Sequence, residues 1–251
     1  MSEKKTSALY RFIKALVRLC YPKTAVVGTE HLSTDEPCIV VGNHAQMHGP
    51  IACELYFPGR RYIWCAGEMM HLREVPAYAY NDFWSKKPRW QRPFFKLCAY
   101  LIAPLSVCVF NNADTVPVYH DARLMTTFKD ALAKLQQGAS MVIFPEHDVP
   151  GNHILCQFQD KFVDIARLYY KKTGKELSFV PLYLAPSLRT MYLGAPIRFS
   201  AAAPIAEERQ RICAYLHDTI TDMACALPQH TVVPYQNCPK KDYPTNRVDA
   251  Q

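Results

Sequence analysis

Short apolar runs that stop at turn-forming residues recur along this chain and predict buried strands. Ile39-Val40-Val41 halts at Gly42-Asn43-His44, and Met141-Val142-Ile143-Phe144 halts at Pro145-Glu146-His147-Asp148. Further strands are predicted at 25–28, 61–65, 115–119 and 177–184. Elsewhere the apolar period lengthens to that of a helix. Leu124, Phe128, Leu132 and Leu135 line one face of a helix over 121–137, capped by Asp121 and closed by Gly138. Other helices are predicted at 51–56, at 158–170 and from Pro204 to about residue 226. Strands alternating with helices imply crossover units. The predicted fold is therefore α/β, a single domain with a mixed, mostly parallel central sheet flanked by helices.

Two stretches depart from that alternation. Over 5–21, Leu9, Phe12, Ile13, Leu16, Val17 and Cys20 repeat at helical spacing, while Lys5, Arg11, Lys14 and Arg18 fall largely elsewhere and Pro22 ends the run. A short apolar face edged with Lys and Arg suits a helix lying in a membrane interface, since a span needs about twenty apolar residues. The plainer alternative is a helix packed on its own domain. Residues 94–110 are nearly all apolar but hold Lys96 and Pro104, and they predict a buried helix, with a membrane-dipping segment as the other option. Residues 68–93 lack a clean period and read as a helical insertion, with a lid or acceptor-binding subregion as the other option. The expected organisation is a basic amphipathic helix over 1–23, a catalytic-type domain over 24–226 and an extended tail over 227–251, which is rich in Pro, Asn and Lys.

Composition narrows the classes. In 251 residues, 49% are hydrophobic and 20% charged, which is ordinary for a globular protein and excludes disorder. The net charge of +7 suits an anionic partner: a lipid surface, a phosphorylated substrate or nucleic acid. The basic residues are spread out, apart from Lys86-Lys87-Pro88-Arg89-Trp90-Gln91-Arg92, and no nucleic-acid motif accompanies them, so nucleic acid is not an expected partner. The ten cysteines form no C-x-x-C pair and sit mostly in apolar runs, as free thiols do in a reducing cytoplasm. Arg11, Lys14 and Arg18 interrupt the apolar positions that a signal peptide would need.

The two marked strand ends carry the chemistry. In α/β folds, ligand and catalytic groups gather at the carboxyl ends of strands. An imidazole there, His44, suits removal of a proton from a hydroxyl that attacks an acyl carbonyl. Asn43 beside it suits hydrogen bonding near the reacting oxygen, and Glu146 suits an acceptor's hydroxyls. The same side chains also allow a metal-site reading, in which His44, His48, His147, Asp148 and His153 hold zinc or iron.

Gly42-Asn43-His44, Val116-Pro117-Val118, Phe144-Pro145-Glu146 and Val180-Pro181-Leu182-Tyr183, in that order, resemble the four blocks of the glycerolipid acyltransferase superfamily, which includes the 1-acylglycerol-3-phosphate acyltransferases. Val27-Gly28 and Gly194-Ala195-Pro196-Ile197 are similar to further family features, so the resemblance spans roughly residues 25–200. It implies a glycerolipid-acyltransferase-like fold. It also implies transfer of an acyl group from an acyl thioester donor (acyl-CoA or acyl carrier protein) to a lipid acceptor, at a membrane lipid surface, with no metal or bound cofactor. On that reading His44 is the general base and Glu146 positions the acceptor.

The blocks are divergent. The family's first block is Asn-His, then four residues, then Asp; this chain has Gly49 at the Asp position. The family's second-block arginine falls at His120, and His147-Asp148-Val149 replaces the Gly-Thr-Arg that follows the glutamate. The expected site is therefore His44 and Asp148 as catalytic groups, Asp148 standing in for the missing carboxylate, with Asn43, His120, Glu146 and His147 around the substrate. The alternative is a relative that binds lipid or acyl donor without turnover. The expected location is cytoplasmic, peripheral on the membrane.

Overall fold

The computed structural model describes residues 6–85, 87–119 and 121–247. His120, Lys86 of the basic cluster, Lys5 of the predicted first helix and the last four residues of the predicted tail lie outside them. In chain order the first elements are helix α1 (Ala8–Cys20), strands β1 (Ala25–Val27) and β2 (Cys38–Gly42), helix α2 (His48–Tyr56), strand β3 (Arg61–Ala66), helices α3 (Val75–Ala79) and α4 (Arg92–Asn112), and strand β4 (Thr115–Val118). Then follow helix α5 (Leu124–Gln136), strands β5 (Ser140–Ile143), β6 (Glu146–Pro150) and β7 (Cys156–Phe158), and helix α6 (Asp164–Thr173). Strands β8 (Ser178–Ala185), β9 (Thr190–Leu193) and β10 (Ile197–Arg198) precede helix α7 (Ile205–Ala226).

The fold is α/β with a mixed, mostly parallel sheet and flanking helices. Two compact units share the chain: Lys23–Ile63 with Phe128–Gln251, and Met1–Pro22 with Trp64–Thr127. In the first, the strand order is β1-β9-β8-β2-β5-β3, with β10 beside β8. Strand β2 lies parallel between β8 and β5, and β3 is parallel to β5. All five residues of β2 are buried, as a central strand covered on both faces requires. Strands β9 and β10 run antiparallel to β8, which makes the sheet mixed. Helix α7 turns Ile212, Leu216, Ile220 and Ala224 inward, an i, i+4 series with no exposed surface.

Register places the site. Val41 pairs with Ile143, so parallel β2 and β5 end side by side, and the residues that follow each strand meet. The other neighbour does the same, since Gly42 pairs with Leu182 of β8. The predicted helix at 158–170 starts later than expected because Cys156–Phe158 is drawn into the β6–β7 hairpin and Lys161–Val163 makes a 3-10 turn.

The segment expected as an extended tail folds back on the same unit. Asn246, fully buried, donates from Nδ2 to the carbonyl of Ala224 (2.8 Å) at the end of α7 and accepts from the His230 amide (2.8 Å).

In the second unit, Met69, Val75, Ala79, Ala99 and Ala103 form the core. The expectation of a buried helix at 94–110 is corrected here. Helix α4 fully buries only its small residues Ala99, Ala103 and Ser106, with Ile102, Val107 and Phe110 partly buried against the same core. Phe94, Leu97, Tyr100, Leu101 and Leu105 are all more than half exposed. By length and composition Arg89–Asn112 is apolar enough to cross a bilayer, and 17% of its most apolar stretch is buried. Helix α1 packs on α4 in this unit, with the Ser7 amide donating to Asn112 Oδ1 at 2.8 Å. Leu9, Phe12, Leu16 and Leu19 of α1 are likewise exposed.

Candidate functional site

The site lies wholly in the larger unit, where the chain leaves β2 and β5. The His44 amide donates to Glu146 Oε1 at 2.6 Å, and the Cys156 amide donates to Oε2 at 2.9 Å. Glu146 is 5% exposed and thus ties the end of β2 to the β6–β7 hairpin. Burial pushes its carboxyl up to about 7, although the two amides pull the other way. Each carboxylate oxygen keeps a second acceptor position for a ligand hydroxyl.

Asn43 is 2% exposed, and its side chain is taken up by the main chain of β8. Its Nδ2 donates to the Leu184 carbonyl (3.0 Å), and its Oδ1 accepts from the Leu184 amide (2.7 Å). It therefore pins the end of β2 to the neighbouring strand and fixes where His44 begins. That arrangement differs from the expected role against substrate.

His44 is half-buried, its ring edge-on to Phe144 (5.4 Å between centroids) and to Tyr235 (5.7 Å). Its Nδ1 bonds to the Gln46 carbonyl oxygen. A carbonyl only accepts, so Nδ1 carries the proton and the lone pair sits on Nε2. The chain reaches this geometry by turning back on itself: Ala45 and Gln46 have φ of 45° and 55°, in the left-handed region. For residues with a Cβ that costs about 1–2 kcal/mol each, a strain of the kind that gathers at functional sites.

The same turn explains Gly49. A Cβ there would lie 2.7 Å from the His44 carbonyl oxygen and 2.8 Å from Phe144 Cε1. The aspartate of the resembled family has no room, and a main-chain carbonyl occupies the ring nitrogen that such a carboxylate would orient.

Asp148 was expected at that nitrogen and is placed elsewhere. It is exposed on β6, and its carboxylate accepts from Gln236 Nε2 of the C-terminal segment. Its sequence neighbour His147 is half-buried, and among the described residues its buried Nδ1 has no hydrogen-bond partner. Cys156, close to Glu146, has its thiol pushed up to about 11, first by burial and then by the Glu146 and Asp148 carboxylates, so it is no nucleophile near neutrality. His48 opens α2, and burial followed by the charge of Lys240 makes it harder to protonate. His153 instead faces Cys225 Sγ at 3.7 Å, and no group of three or more His, Cys, Asp or Glu among the described residues is arranged to hold a metal.

Sequence reasoning missed Gln46, Tyr235, Gln236 and Tyr243. Gln46 Nε2 donates to the Gln236 carbonyl (3.2 Å) and to the Tyr243 hydroxyl (3.0 Å). Neither left-handed residue is a glycine, so the pattern carries no sign of the turn. The one faint signal was a tyrosine-glutamine pair in a tail otherwise read as polar.

No protein family and no curated protein matches this sequence. Among solved structures, the chain is similar to the 1-acyl-sn-glycerophosphate acyltransferase PlsC from Thermotoga maritima. The identity is 15% and the TM-score 0.47, over 86% of this chain and 80% of that one.

Proposed function

We propose that the protein is an O-acyltransferase that moves a fatty acyl group from an acyl thioester, on coenzyme A or acyl carrier protein, to a lipid hydroxyl such as that of 1-acylglycerol-3-phosphate. The observation that carries this reading is the contact between His44 Nδ1 and the Gln46 carbonyl oxygen, which assigns the ring's basic lone pair to Nε2 beside the ends of two parallel strands. In the step, the acceptor O–H gives its proton to Nε2 while its oxygen attacks the thioester carbon. The C–S bond then breaks, the sulfur leaves as thiolate, and the imidazolium returns the proton to it. The products are an ester and a free thiol. Glu146 offers its remaining lone pairs to the acceptor's hydroxyls, and the half-buried His147 supplies a polar edge beside it.

The reading includes a membrane surface. The outward residues Phe12, Leu16, Leu97 and Leu101 of α1 and α4 are apolar, and Arg11, Lys14, Arg18 and Lys96 sit among them. Apolar side chains ringed by cations fit an anionic leaflet, with the protein peripheral on its cytoplasmic face.

The test is mass spectrometry of lysophospholipid acceptors incubated with acyl thioesters and either wild type or His44→Ala. Wild type is expected to form the diacyl product and His44→Ala to lose at least a hundredfold in rate. Equal product from both removes His44 as the base, and no product from either leaves a lipid-binding protein without turnover.

A further inference from the structure

The orienting contact of the base does not stand alone. Gln46 presents its carbonyl to His44 Nδ1 from a conformation that its own main chain disfavours, with φ at 55°. Something must hold it there, and the side chain of the same residue is gripped from a segment nearly two hundred positions away. Gln46 Nε2 donates to the Gln236 carbonyl and to Tyr243 Oη, while the Tyr243 hydroxyl also lies 3.2 Å from Gln46 Oε1. Gln236 is tied in turn to Asp148 through its own side-chain amide, and Tyr235 beside it closes on the edge of the His44 ring. The segment is rooted at both ends. Val232 donates to the Pro244 carbonyl at 2.9 Å, and Asn246 locks it to the end of α7.

We infer that the C-terminal segment is a working part of the site, with Tyr243 a positioning residue that acts on His44 through Gln46. It does the job that a carboxylate on the following turn would do in a chain with room for one. The route is indirect. Tyr243 and the Gln236 carbonyl hold the Gln46 side chain, the held side chain keeps Gln46 left-handed, and that conformation keeps its carbonyl on Nδ1. Asp148 enters the same scheme as the anchor of Gln236. This assignment rests on His44 being the base of the proposed transfer, yet the geometry it describes is measurable without turnover.

The experiment pairs imidazole ¹⁵N–¹H correlation spectra with acyl-transfer kinetics on the full chain. Wild type is expected to show His44 as the Nδ1–H tautomer. Tyr243→Phe is expected to lower that tautomer's share and to cut kcat by between about tenfold and a hundredfold with KM little changed, as loss of alignment does. Adding Gln46→Gly to Tyr243→Phe is expected to restore both, because glycine takes the left-handed conformation unaided. A tautomer unmoved by Tyr243→Phe, or a defect that glycine does not rescue, overturns the assignment. A tautomer that responds as described in a protein without transferase activity upholds the positioning and overturns the proposed reaction instead.

Discussion

Glu146 concentrates the electrostatics of the site at the scale of a single residue. Its carboxyl rises from an ordinary 4.5 to about 7 because burial removes the water that would solvate the anion. In the unfolded chain the group ionises first, so the unfolded state sheds its proton while the native state still holds it. The group's contribution is therefore most favourable below pH 4.5 and is lost as pH climbs towards 7, a change of roughly 3 kcal/mol. Chemical denaturation of wild type and Glu146→Gln at pH 5 and pH 8 is the check. The wild type is expected to lose of the order of 3 kcal/mol more than the variant over that interval, and parallel pH dependences contradict the assignment of the shift. The same titration makes Glu146 a hydrogen-bond donor as well as an acceptor near neutrality, which widens the set of hydroxyls it accommodates. Gly49 shows the complementary case, in which a residue's absence of bulk decides the chemistry of its neighbour.

Among the elements, α1 and α4 carry the most information beyond the site. Both follow helical periodicity, but the faces they expose are apolar. In α4 the small residues Ala99, Ala103 and Ser106 face inward while Phe94, Leu97 and Leu101 face out, the reverse of a water-soluble helix. Burying each large side chain in a bilayer is worth roughly 1.5–3 kcal/mol. Flotation with vesicles of phosphatidylglycerol and phosphatidylethanolamine is expected to carry the wild type. The double variant Phe12→Asp/Leu101→Asp is expected to bind at least about tenfold more weakly with unchanged circular dichroism, because two large apolar contacts are replaced by anions facing an anionic surface. Undiminished flotation of that variant would show that this face does not meet lipid.

At the scale of the whole molecule, the last twenty residues described are structural partners of the sheet-bearing unit. Asn246 satisfies the carbonyls of Ala224, Leu227 and Pro228 and the amide of His230 from a position with no exposed surface. Removing that side chain strands several buried polar groups. Asn246→Ala is expected to lower unfolding free energy by about 2–3 kcal/mol, read as a drop in the denaturant midpoint. A midpoint unchanged within error would mean that the segment is only laid against the surface.

Much of this was legible in the chain itself. The apolar runs of β2, β5 and β8 announce a buried parallel sheet because a strand covered on both faces has to be apolar throughout. The residues just beyond them, Asn43, His44 and Glu146, declare themselves by contrast with that run. What the pattern does not hold is partnership. That the Asn43 amide faces Leu184, that Glu146 takes amides and not a ring, and that Asp148 turns to Gln236 depend on register between strands separated by more than a hundred residues. The left-handed turn at Ala45–Gln46 has no glycine to mark it and exists because distant side chains hold it. Local sequence determines which segments become strands and helices through propensity and periodicity; only the closed tertiary structure decides which polar groups meet, because those pairings are selected by long-range packing.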